Sequence, residues 1–122
     1  MRCRGIRGAT TVDENSKEAI IQSTRELLEK MVEANQIDVD EIACAFFSTT
    51  TDIDAEFPAL AARKLGWSHA ALLCGHEMNV PGSLQKCIRV LILYNTEKRT
   101  DEIVHVYING AESLRADIPS VS

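Results

Sequence analysis

The chain has 122 residues, 45% of them hydrophobic and 25% charged, and carries a formal net charge of −5. That length fits one domain, 1–122, with a real core. The acidic balance sets aside nucleic acid, whose phosphates require a basic surface. The four cysteines, at positions 3, 44, 74 and 87, form no C-x-x-C pair and no metal-ligand spacing. With no run near the ~18 apolar residues of a membrane span and no signal peptide ahead of the first strand, a reduced, cytoplasmic protein with no membrane partner is expected.

Residues 2–12 read as a first strand, in which Cys3, Gly5, Arg7, Ala9 and Thr11 alternate onto one face. Among such short neighbours Arg7 is either an exposed edge arginine or one that reaches across a cavity. Asn15 and Glu18 have the types and spacing of a capping box. The helix behind them runs to about Asn35, with Ile20, Thr24, Leu27, Leu28, Met31 and Val32 as its inward stripe. A loop over 36–40 leads to a second strand, Glu41–Thr49, where Phe46 and Phe47 point to opposite faces and imply that both are covered. The polar loop after it ends in Phe57 and Pro58, and Pro58 suits the opening of a short helix, Ala59–Leu65, stopped by Gly66. Arg63 on that helix reads first as an exposed surface arginine.

Residues 69–74 look like a short buried strand, and Pro81-Gly82 marks a turn in the loop that follows. The strand after it, through Tyr94, has Cys87, Arg89, Leu91 and Leu93 on one face and Ile88, Val90, Ile92 and Tyr94 on the other. Two apolar faces predict a central strand, with the Arg89 guanidinium forced inside. An unpartnered buried cation would cost several kcal/mol, so Arg89 must meet an anion, either a protein carboxylate such as Glu77 or a ligand. A last strand is expected over Ile103–Ile108, with His105 and Tyr107 opposed to Val104 and Val106. The tail from Ala111 is too short and mixed to pack firmly, so 110–122 is expected to be mobile. The order β-α-β-α-β-β-β implies an α+β fold, a mixed sheet with two main helices on one face. An oligomer would cover the other face.

Cys74, His76 and Glu77 lie close in sequence, but their spacing matches no zinc site; a Cys-His nucleophile is the sharper alternative. The chain has no glycine-rich phosphate loop followed by a helix. What remains is Arg7, Arg63 and Arg89 with one carboxylate, Glu77, one thiol, Cys74, and one phenol, Tyr107. Arginine, with a reference pKa above 12, is no ordinary proton donor, yet it fixes carboxylates through paired N–H groups. The residues therefore point to recognition of a small polyanion, with any catalysis supplied by orientation and fixed charge.

The segments Arg4–Thr11, Phe57-Pro58-Ala59 with Arg63, Glu77-Met78, Cys87–Val90 and His105-Val106-Tyr107, in order and over nearly the whole chain, resemble the small trimeric chorismate mutases of bacteria, the AroH class. The resemblance implies the rearrangement of chorismate to prephenate, an isomerisation in phenylalanine and tyrosine biosynthesis that uses no metal and no cofactor. It implies that Arg89 faces the breaking ether oxygen and that Arg7 and Tyr107 bind a side-chain carboxylate. Glu77 and Cys74 would meet the ring hydroxyl, and the backbone of Leu73, Cys74, Gly75, His76 and Glu77 would add contacts. Phe57 and Arg63 would come from a neighbouring protomer of a homotrimer with a barrel-like centre, and Leu114 and Arg115 from a tail over the entrance. Leu60 and Leu73 depart from relatives that carry lysine and a polar residue at those positions, and His76 is not diagnostic. The rival readings are a small-anion binding or regulatory protein of the same fold, and an enzyme that eliminates pyruvate from chorismate or isochorismate.

Overall fold

The computed structural model describes residues 1–117, with side chains through Leu114. Its elements run β1 (Arg2–Thr11), α1 (Lys17–Asn35), β2 (Ile42–Thr49), α2 (Ala59–Lys64), β3 (Ala71–His76), β4 (Cys87–Thr96) and β5 (Val106–Tyr107), with 3-10 turns at Val39–Glu41, Thr100–Glu102 and Asn109–Asp117. They form one mixed sheet in the order β3-β2-β4-β1-β5. β4 is central and antiparallel to both neighbours, whereas β2–β3 and β1–β5 are parallel pairs. This is the expected α+β architecture.

The helix begins one residue later than the capping-box pattern implies. Ser16 is the N-cap, its Oγ accepting from the Ala19 N–H at 3.2 Å. Asn15 is drawn off instead to the loop after β2, where its Oδ1 accepts from the N–H groups of Asp54 and Ala55. The buried stripe of α1 comprises Ile20, Thr24, Leu27, Leu28, Met31 and Asn35. These residues pack the helix against the sheet face presented by Ile6, Phe47, Val90 and Ile92, with Ala61 and Ala62 of α2 and Trp67 completing that core.

At Gly8 the helix and the sheet approach closely. A Cβ there would overlap the Met31 thioether and stand 3.2 Å from a Leu27 methyl. Gly8→Val is therefore expected to destabilise the fold by about 1–3 kcal/mol, the usual cost of overpacking a filled core. Urea unfolding at matched protein concentration should show a lower midpoint at unchanged slope. An unmoved midpoint would mean that α1 yields without cost.

Among the described residues the opposite sheet face has no second layer beyond the patch under Ala111 and Leu114, and this corrects three expectations. Phe46 is 41% exposed although Phe47 is buried at 1%. β3 is an edge strand, with Leu73 61% exposed, because only β2 flanks it. The Arg89 side chain is 45% exposed and is not buried within a protomer. The alternation within β4 is as expected; what differs is that, beyond Cys87, its outer face has no cover among the described residues. Register lines up Leu73, Phe46, Leu91 and Arg7 in one rung across four strands, and Gly75, Ser48, Arg89, Ala9 and Tyr107 in the next across all five.

β5 is shorter than the expected Ile103–Ile108. Both backbone groups of Val104 bond to the side-chain amide of buried Asn35, and not to a neighbouring strand. After it, Asn109 turns the chain with φ +54°. The segment that follows does pack at its start. Ala111 is fully buried, and Leu114 rests on the patch formed by Ala9, Cys87 and Ala111.

Candidate active site

Four of the expected site residues converge on the outer sheet face. Arg7 on β1, Arg89 on β4, Tyr107 on β5 and Glu77, just past β3, line a cleft of about 300 Å³ with Ala9, Phe46, Ser48 and Leu91. Strand geometry explains the meeting. Ala9 lies opposite both Arg89 and Tyr107, so the phenol and the guanidinium flank one small residue that leaves space between them. Leu114 borders the same end through the Ala9–Cys87–Ala111 patch. The side chain of Arg115 lies outside the described residues.

Arg89 finds its carboxylate within the chain. Its Nε–H donates to Glu77 Oε1 at 3.1 Å, the pair being partly exposed. That bond uses one of the five guanidinium N–H groups. Glu77 is held in place by its own backbone, whose N–H donates to the Thr49 carbonyl at 2.7 Å. The start of β4 is clamped in turn: the Cys87 N–H donates to Thr50 Oγ1, and the Lys86 N–H to the Asp52 carboxylate. Both members of the ion pair thus rise from fixed backbone, which leaves only their side-chain freedom to be ordered.

Cys74, Phe57 and Arg63 are set apart from this group within one chain. Cys74 pairs with Phe47, whose side chain enters the core, so the thiol lies on the helix side of the sheet. It lines an edge cleft of about 420 Å³ with Phe57, Ala59, Leu60, Arg63 and Leu73. Gly75 and His76 line an adjoining hollow with Phe57 and Cys74, and His76 Nδ1 lies 3.1 Å from Thr49 Oγ1. Phe57 is 69% exposed, an aromatic ring with no cover of its own. Burial pushes the Cys74 thiol above the ordinary thiol range, against weaker opposing effects of an Ala59 backbone hydrogen bond and the Arg63 charge. A thiol so held is protonated at neutral pH and is a poor nucleophile. Among the described residues no group of three His, Cys, Asp or Glu side chains is arranged to hold a metal ion.

Ser48 and Phe46 were not read from the sequence as part of the site, although they line its floor. Alternation in β2 puts them on one face, but only the β2–β4 pairing sets Ser48 opposite Arg89. His105 was also passed over. Its Nδ1 accepts the Arg7 N–H at 2.9 Å, and burial, then the Arg7 charge, lowers its pKa from the ordinary imidazole value.

A cation and a partly exposed carboxylate on a sheet face, with a phenol and a second arginine beside them, can hold a small polar anion. Comparison with known proteins agrees with that chemistry. Residues 3–118 match the family model described as chorismate mutase type I. The chain is 51% identical over 118 residues to chorismate mutase AroH of Thermus thermophilus, covering 96% of this chain and 97% of that one. It is 44% identical over 119 residues to chorismate mutase AroH of Bacillus subtilis strain 168, covering 97% and 94%. The solved chorismate mutase from Clostridium thermocellum superposes with a TM-score of 0.88 at 50% identity, over 89% of this chain and 97% of that one. With fold, arginine set and near full-length likeness in agreement, the chain belongs to the chorismate mutase type I family.

Proposed function

We propose that this chorismate mutase uses the outer-face cleft, completed by the edge cleft of a second copy, to hold chorismate while it rearranges to prephenate. The ether C–O bond breaks as a C–C bond forms, within one molecule. No proton leaves and no covalent intermediate is needed, so the protein's task is to hold the reactive shape and stabilise charge. Arg89 donates toward the ether oxygen, Arg7 and Tyr107 bind a carboxylate, and Glu77 accepts from the ring hydroxyl. Phe57, Arg63, Leu73 and Cys74 close the cleft from the neighbouring protomer, with backbone contacts from Gly75 and His76, and Leu114 and Arg115 lie over its mouth. Leu60, which also lines the edge cleft, adds no positive charge there.

The observation that carries this reading is the ladder of exposed apolar side chains beside the cleft. Leu73, Phe46 and Leu91 lie in one rung at 61%, 41% and 37% exposure. Such a face gains by being covered, and covering it would also desolvate Arg7 and Arg89. A homotrimer, closed and symmetric, provides the cover. Among the described residues no helix is long and apolar enough to cross a membrane.

The direct experiment is incubation with chorismate, following its absorbance and the appearance of prephenate; released pyruvate in place of prephenate would overturn the reading. The rate is expected to be flat between about pH 6 and 9, since arginine keeps its charge across that range. Burial favours the Cys74 thiol, and burial with the Arg7 charge favours neutral His105, so neither group is moved toward the middle of that window. Chelators should change nothing. The sign for stability follows from His105. The neutral ring's contribution is complete above the unfolded value of about 6.5 and is lost as pH falls from there toward the lowered folded value. A bell-shaped rate profile inside the window would show a catalytic proton transfer that this mechanism lacks.

A further inference from the structure

We infer that His105 is a positioning residue for substrate binding, acting through the backbone of Arg7. β5 pairs with β1 only at Gly8 and Ala9, in a parallel ladder two residues long. Arg7 stands one residue before that pairing, where a longer β5 would have offered a backbone carbonyl to its N–H. The imidazole takes that place, with Nδ1 accepting the Arg7 N–H at 2.9 Å. A ring nitrogen that accepts must be unprotonated, so the ring is neutral with its hydrogen on Nε2. The charged group that meets the ring is Arg7 itself, and burial together with that charge favours the neutral form.

His105 is in turn fixed from the helix layer. The side-chain amide of Asn35, the last residue of α1, donates to the Val104 carbonyl and accepts from the Val104 N–H, both at 2.8 Å. The Lys98 ammonium donates to the Asn35 carbonyl at 2.7 Å. A continuous path of hydrogen bonds therefore runs from the end of α1 through Val104 and His105 to the Cα that carries the Arg7 side chain. On its other flank that residue is paired with Leu91 of β4. With both flanks held, the guanidinium starts from a fixed point above the cleft. Such support governs how much of an arginine's binding is realised, because a misplaced group binds less well in ground and transition states alike.

The inference rests on the reading of Arg7 as a carboxylate anchor, and the test separates the two. His105→Leu removes the acceptor and is expected to raise KM for chorismate roughly tenfold, the upper range for one lost hydrogen bond, with little change in kcat. His105→Asn puts an amide oxygen where Nδ1 stood and should return KM to within about threefold of the parent. In an Arg7→Ala background, His105→Leu should cost nothing further, because its effect passes through a side chain already gone. A purely structural role would instead lower activity independently of Arg7. Multiplying effects in the double variant, or an unchanged KM in His105→Leu while Arg7→Ala raises it, would overturn the inference and leave the anchor intact. An unchanged KM in Arg7→Ala would remove the anchor and this inference with it. A measurement on the unaltered protein guards against variants that fail to fold. Nitrogen-15 chemical shifts of the His105 ring should show Nε2 protonated and Nδ1 bare at neutral pH, and the reverse tautomer would refute the proposed bond.

Discussion

Replacing Arg89 by citrulline, its neutral isostere, is expected to lower kcat by 10²–10³-fold or more while substrate affinity changes modestly. Losing one preorganised donor costs roughly that much, about 2.7–4 kcal/mol, and here a whole charge is removed. The reasoning turns on where charge develops. In bound chorismate the ether oxygen is close to neutral; as its bond to carbon stretches, negative charge gathers on it. A cation beside it is therefore worth more at the transition state than before it, and only that difference lowers the barrier. The geometry suits the task, because the guanidinium is already oriented by the 3.1 Å bond from Nε to Glu77 and needs little rearrangement. Citrulline keeps the shape and most donors, which isolates the charge from the packing. Loss of chorismate binding with kcat intact would reduce Arg89 to a carboxylate anchor. Circular dichroism and the assembly state of the variant must match the parent, since an unfolded chain would also be inactive.

Mixing two crippled chains is expected to restore activity. Arg7→Ala and Arg63→Ala should each lose roughly 10–10³-fold in kcat/KM, the range for truncating one partner of a desolvated charged contact. If each site takes Arg7 from one protomer and Arg63 from the next around a closed ring, any trimer containing both variants has one site with both arginines intact. Random reassembly at equal amounts then regenerates about a quarter of the parent's sites. The structure motivates the test. Arg7 lines the cleft on the outer sheet face, whereas Arg63 lines the edge cleft with Phe57 and Cys74. Native mass spectrometry would verify that mixed trimers formed. Mixed trimers without recovered activity would place both arginines in one subunit's site, or Arg63 outside it.

The sequence carried the element order because its signals are local. The stripe of α1 repeats at helical spacing, β4 alternates cleanly, and Pro58 and Gly66 bracket the short helix. Arg89 was legible as a residue that needs an anion because an arginine on an otherwise apolar strand face asks for a partner, and Glu77 is that partner within the chain. The capping residue was missed by one position, since the choice between Asn15 and Ser16 was made by a distant loop that bonds the Asn15 side chain.

Alternation states which residues share a face but not what covers that face. It placed Arg89, Leu91 and Phe46 correctly with respect to their strands and wrongly inside the protomer, because burial depends on a second layer that the described residues do not supply over them. The shortness of β5 was beyond a local reading for the same reason. Val104 gives its backbone groups to Asn35, a residue 69 positions away, and His105 fills the place left open beside Arg7. Sequence alone determined the elements, their faces and the chemical character of the site, all set by neighbours within a few residues. Tertiary structure decided register, the division of the site residues between two clefts, and the support of Arg7, because hydrogen bonds between distant segments are fixed only when the whole sheet and its helices have come together.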